Sequence, residues 1–197
     1  MSDINQKRDA LSFILERHSQ SDLQEPVPQG EELKLILEAG LNAPDHGRLR
    51  PYRFVIVAGE DRQSLADAFV DNVESAGETN NEKRDKAAKK AFAAPMQIIL
   101  VFSPKESKIP EWEQSSTCAC AGYGISLAAN KLGYGTIWKS IMQAPGPKMK
   151  HLLQLDDNET ILGWINIGTV NKARGVIQRP AIESMAKRLS SGKLDTL

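Results

Sequence analysis

The segment Met96-Gln97-Ile98-Ile99-Leu100-Val101-Phe102 restricts the fold more than any other. Pro95 precedes it and a turn-rich loop, Ser103 to Pro110, follows. A strand with one face in water alternates apolar and polar side chains, whereas a near-continuous apolar run belongs to a strand covered on both faces. The fold must therefore bring helices to both sides of a sheet.

Those helices can be read from spacing. Leu11, Ile14 and Leu15 share one face of a first helix that ends near Arg17. Leu33, Ile36, Leu37, Gly40 and Leu41 form the inner stripe of a second, over Glu31 to Leu41, which Pro44 stops. Asp61 stands where it can cap a third, with Leu65, Phe69 and Val73 on one side. Asn81 to Ala94 is a fourth, with Glu82 and Lys86, and Asp85 and Lys89, at stabilising i, i+4 spacing. Its basic run, Lys83, Arg84, Lys86, Lys89 and Lys90, reads as a solvated face.

Trp112 to Leu132 is the longest helix, ended by Gly133. Its small residues, among them Ala121, Gly122, Gly124 and Ala128, let another backbone approach closely, so it is expected at the centre of the packing. A small helix over Pro145 to Leu153 and a weak one over Ile182 to Leu189 follow. Further strands are expected at Arg53–Val57, Gly135–Trp138 and Thr160–Gly168. Helices and strands mix throughout, without repeat or linker, so the reading is one α+β domain spanning residues 1–197, a helical sandwich around one sheet.

The 25 basic and 25 acidic side chains cancel, which gives no global pull toward nucleic acid or acidic membranes. Met1 to Lys7 holds no apolar signal core, and Gln114 to Asn130 is too polar to span a bilayer, so a cytoplasmic setting is expected. Cys118 and Cys120 lie about 200° apart around their helix, which argues against a local disulfide. His18, His46 and His151 show no metal-ligand spacing, and no metal is expected.

Three polar clusters sit at the ends of expected elements: Arg17-His18-Ser19, Asn42 to Tyr52, and Trp138-Lys139-Ser140. A guanidinium forks onto phosphate and a serine hydroxyl adds a further bond, so the first suits a phosphate ester. It is equally a cation at a helix C-terminus. In the second, His46 beside Asp45 reads as part of a local hydrogen-bond network. Arg48 and Arg50 read evenly as surface charges or as cations facing a ligand. The third reads on its own as a core tryptophan followed by an exposed lysine.

Beyond these local readings, the chain resembles the nitroreductase family of FMN-dependent NAD(P)H oxidoreductases, and its short single-domain YdjA-like subgroup in particular. The likeness rests on Glu16-Arg17-His18-Ser19, on Ala39-Gly40-Leu41-Asn42-Ala43-Pro44-Asp45-His46, and on Pro51-Tyr52-Arg53-Phe54-Val55. It continues in Pro110-Glu111-Trp112-Glu113-Gln114, in Leu132 to Ser140, and in Leu162-Gly163-Trp164-Ile165-Asn166-Ile167-Gly168-Thr169.

The resemblance implies a mostly antiparallel central sheet between helices, in a domain-swapped-like homodimer with two FMN sites built from both subunits. It implies a ping-pong reaction that moves electrons from NAD(P)H through FMN to a nitroaromatic, quinone or similar small-molecule acceptor. The cofactor would carry the chemistry, with no catalytic side chain. Arg17, His18 and Ser19 match the segment that contacts FMN phosphate and ribityl; Asn42 and His46 match the segment that reaches flavin across the dimer interface. Trp138, Lys139 and Ser140 match the flavin-contacting strand end. Ala128, Ala129, Asn130, Lys131, Leu132 and Gly133 match a stretch assigned to NAD(P), which packing alone also explains.

The chain departs from the family where Gln20, Ser21 and Asp22 stand in place of a further phosphate arginine, which leaves phosphate affinity open to dependence on another cation. Asn42 stands where an arginine is common, and Arg50 and Tyr52 where Gln and Trp are usual. Two rival readings are an FMN-binding carrier or sensor without turnover, and a same-fold flavoenzyme of different reaction, such as reductive dehalogenation.

Overall fold

The structure, a computed structural model, describes residues 3–140, 144–175 and 177–197. In chain order the elements are helices α1 (Asp3–Ala10) and α2 (Ser12–Leu15), strand β1 (Leu23–Gln24), α3 (Gly30–Gly40), β2 (Tyr52–Ala58), α4 (Asp61–Ser75) and α5 (Asn81–Lys89). Then come β3 (Met96–Phe102), α6 (Glu111–Lys131), β4 (Gly135–Lys139), α7 (Pro147–Leu153), β5 (Thr160–Val170), β6 (Lys187–Ser190) and β7 (Lys193–Thr196).

The main sheet runs β4, β5, β3, β2, and β1 pairs with the last two residues of β5. Every neighbouring pair is antiparallel. All seven residues of β3 are buried, which is why the segment can be apolar throughout. Its alternate side chains enter two different cores. Met96, Ile98, Leu100 and Phe102 pack with Ile36 of α3 and Cys118, Ile125 and Ala129 of α6. Ile99 and Val101 point the other way, to Leu65 and Phe69 of α4, Ala87 of α5, and Met149 and Leu153 of α7. The expected sandwich is thus present.

The small residues of α6 do what their size allows. A Cβ on Gly124 would lie 2.8 Å from the Ala39 carbonyl oxygen, and one on Gly40 would lie 3.2 Å from the Ala121 oxygen, so α3 and α6 meet backbone to backbone. Because the obstacle at Gly124 is main chain, Gly124→Ala is expected to destabilise by about 2 kcal/mol, as overpacking does. A thermal or urea denaturation series checks this, and an unchanged midpoint would refute the close packing.

Several local expectations are corrected. The first helix is broken into α1 and α2 at Leu11. Asp61 is the first residue of α4 and caps nothing, whereas Asn80 caps α5 by accepting from the amides of Glu82 and Lys83. The ion pairs of α5 are not those of the i, i+4 spacing: Arg84 pairs with Glu74 and Lys83 with Glu78, both back toward the end of α4. Lys86 and Lys89 are left without an ion pair among the described residues.

The expected helix over Ile182 to Leu189 is a short 3-10 turn at Ile182–Ser184 followed by a hairpin, β6–β7. Ser191 (φ 48°) and Gly192 (φ 77°) are both left-handed, the backbone of a tight two-residue hairpin turn. That turn overrides the weak helical spacing of the tail.

Candidate active site

The first cluster lies beside β4. The Gln20 amide donates to the Thr136 carbonyl at 2.9 Å, which ties the residue after Arg17-His18-Ser19 to that strand. His18 is held by its neighbours: Nδ1 donates to the Glu16 carbonyl at 2.9 Å, and Nε2 lies 2.8 Å from the Gln20 carboxamide nitrogen and 3.3 Å from the Arg174 carbonyl oxygen. Gln20 is itself buried, and its Oε1 accepts from the Arg174 amide at 2.9 Å.

Two cations that spacing could not reveal join here. The Arg174 guanidinium donates to Ser21 Oγ at 2.8 Å, and Arg179 donates to the Arg17 carbonyl at 2.6 Å. Arg174 and Arg179 are thus brought to the Arg17–Ser21 segment beside the start of β4, although more than 150 residues separate Arg17 from Arg174. None of the three forms an ion pair among the described residues.

The third cluster is at the other end of the same strand. Trp138 turns toward α6, where a Cβ on Gly122 would meet its ring at 2.3 Å; the indole seats β4 on that helix. Alternation then sends Lys139 to the opposite face, where it is exposed, and Ser140 follows. From Thr136 to Lys139 is roughly 10 Å at the rise of a strand.

The second cluster stands apart in the same protomer. It leads into β2, the edge opposite β4, at roughly 14 Å for three strand spacings. His46 Nδ1 donates to Glu113 Oε1 at 2.7 Å, so its partner is on α6 and not Asp45. Asp45 instead accepts from the amides of Leu49 (3.1 Å) and Arg50 (2.8 Å). Those bonds hold Arg48 (φ 55°) and Arg50 (φ 50°) in the left-handed region, a costly conformation for residues with a Cβ. The two arginines, Asp45 and Tyr52 line an open cavity of about 630 Å³. Asn42 is exposed and donates back to the Glu38 carbonyl at 3.3 Å.

Of the stretch Ala128 to Gly133, Ala129 is fully buried in the α3–α6 core and serves packing. Lys131, Leu132 and Gly133 are exposed, and the Lys131 ammonium lies over the Phe13 ring at 5.7 Å. Among the described residues no helix is long and apolar enough to cross a membrane.

The chain is similar to known proteins along most of its length. Residues 14–169 match the model of the Nitroreductase family. The chain is 35% identical over 162 residues to an Escherichia coli (strain K12) protein provisionally named the NAD(P)H nitroreductase YdjA, covering 82% of this chain and 88% of that one. A Haemophilus influenzae protein, provisionally named an NAD(P)H nitroreductase, is 33% identical at the same coverage. Among solved structures, a nitroreductase-like family protein from Bacillus cereus superposes with a TM-score of 0.77 at 23% identity, over 91% of this chain and 95% of that one. A mutant of NfnB, an FMN- and NADPH-dependent nitroreductase from Sphigopyxis sp. strain HMH, gives 0.72 at 17% identity, over 92% and 99%.

Proposed function

Since the chain belongs to the nitroreductase family, we propose that this oxidoreductase uses FMN, carrying electrons from NAD(P)H to a nitroaromatic, quinone or similar acceptor by a ping-pong cycle. The observation that carries this reading is the arginine cluster at the start of β4. Its guanidiniums form no ion pair among the described residues, and paired donors of that kind are the chemistry that a phosphate monoester demands. Arg174 and Arg179 fill the place of the missing family arginine.

When bound, FMN supplies the two-electron transfer between nicotinamide and acceptor. The chain's part is to bind and orient. Arg17, Ser19 and Arg174 would hold the phosphate, with His18 locked by Gln20 as their support. Lys139 would set a positive charge beside the ring and favour its reduced, anionic form. Trp138 fixes the strand that carries Lys139 and Ser140. Lys131, Leu132 and Gly133 are accessible to a dinucleotide.

Asn42 and His46 lie toward the edge of the sheet opposite β4, and they would serve the flavin of a second copy. That makes the working unit a homodimer with two shared sites. The hairpin arm fits such an exchange, because Met185, Leu189 and Leu194 are about 70% exposed.

Purified protein is expected to be yellow, with flavin absorbance that NADH or NADPH bleaches anaerobically and an added quinone restores. Colourless protein that does not take up added FMN would overturn this function.

A further inference from the structure

Among the described residues four buried side-chain polar atoms lack a hydrogen-bond partner, and three of them share one place. Gln97 Oε1, Trp164 Nε1 and Asn166 Oδ1 lie on the same face of β3 and β5, where Gln97 stands opposite Asn166 and Ile99 opposite Trp164. All three residues are at most 2% exposed. A buried polar group left unsatisfied costs about 1–3 kcal/mol, so three together need a reason.

Trp164 and Asn166 line a cleft of about 290 Å³. Lys86, Lys89, Lys90 and Lys139 line the same cleft, and none of the four forms an ion pair among the described residues. Four lysines along one cleft raise its positive potential, and an anion held there lowers it. The cleft is at the small end of ligand sites, enough for a substituted ring and not for a dinucleotide. The Asn166 carboxamide can offer a donor or an acceptor to that ring's substituents.

We propose that this cleft binds the anionic group of the electron acceptor and selects small aromatic or quinonoid carboxylates over their neutral counterparts. The purpose, though not the binding, rests on the flavin reading, through the shared Lys139.

Two measurements on the purified protein test it. Calorimetric titration with benzoate and with methyl benzoate needs no turnover. Benzoate is expected to bind at least about tenfold more tightly at low salt, a difference of about 1.4 kcal/mol. The preference is expected to vanish in Lys86→Gln/Lys89→Gln and at high salt, where screening shortens the reach of charge. Lys148→Gln/Lys150→Gln, which removes the same charge from α7, is expected to leave it intact. In turnover, the double variant at Lys86 and Lys89 is expected to raise KM for 4-nitrobenzoate roughly tenfold at constant kcat, and to leave methyl 4-nitrobenzoate unchanged.

Equal binding of acid and ester, or a variant that binds benzoate like the parent, would overturn the proposal. Displacement of benzoate by 2′,5′-ADP would overturn it too, by giving the cleft to the donor's phosphate. Lysine-dependent benzoate binding without nicotinamide oxidation would sink the flavin reading and keep the anion cleft; turnover indifferent to the carboxylate would do the reverse.

Discussion

Glu159→Ala is expected to destabilise the protein by about 2 kcal/mol, in the range for losing a hydrogen bond to a charged group, because the Arg53 side chain left behind is 35% exposed and regains water. The Glu159 side chain is 6% exposed and faces the Arg53 guanidinium, with Nε at 2.9 Å and Nη2 at 2.6 Å. It also accepts from Ser103 Oγ and from the Asp156 amide, the latter at 3.1 Å. Arg53 in turn donates to the carbonyls of Leu153 and Gln154. One carboxylate thus joins β2, the exit of β3 and the turn after α7.

The Arg53 bond, with help from Ser103 and the Asp156 amide, holds the Glu159 carboxyl down at about 2, against the burial that opposes it. A carboxyl lowered in the folded state stabilises above its unfolded pKa, near 4.3, and that contribution is lost as pH falls toward 2. Urea unfolding of the parent and of Glu159→Gln should therefore differ most at neutral pH and converge between about pH 5 and pH 2. A gap that does not depend on pH would refute the ion pair as its source.

The second large effect is expected at the arginine cluster. Replacing both Arg17 and Arg174 by alanine should weaken FMN binding by at least about a hundredfold, since each hydrogen bond to a charged group contributes about 1.5–3 kcal/mol. Folding should be nearly unaffected. The Arg174 backbone bond to Gln20 persists in the variant, and neither guanidinium forms an ion pair among the described residues. Quenching of flavin fluorescence on titration with apoprotein measures the affinity, with Lys148→Ala as the charge control. An unchanged dissociation constant would remove the phosphate from this end of β4.

The sandwich was legible because its signals are local. Met96 to Phe102 announces a strand buried on both faces, and the glycines of α6 announce a close helix contact; each needs only its own neighbours to be read. The tail failed for a local reason too. Ile182, Met185 and Leu189 space like a helix, but Ser191-Gly192 makes a turn that such counting ignores. β1 is two residues long and exists only through its pairing with β5, so no periodicity could mark it.

The site was legible as clusters but not as a layout. Arg174 and Arg179 sit in a polar tail with nothing to distinguish them until the chain folds back on Arg17. The partner of His46 is Glu113, 67 residues away, where adjacency had suggested Asp45. Lys86 and Lys89 looked satisfied by acidic residues a turn away, but the ion pairs that form join Lys83 to Glu78 in the preceding loop and Arg84 to Glu74 of α4.

The two cysteines of α6 differ sharply in circumstance. Cys118 is fully buried, and burial pushes its thiol up to about 12, whereas Cys120 is exposed on the same helix. Nucleophilic attack needs an accessible thiolate. A maleimide dye should therefore attach at a single sulfur of the native polypeptide, with no engineering. Because Cys120 is exposed on α6, slowing of that attachment as the protein is concentrated would report any association that covers this side of the helix.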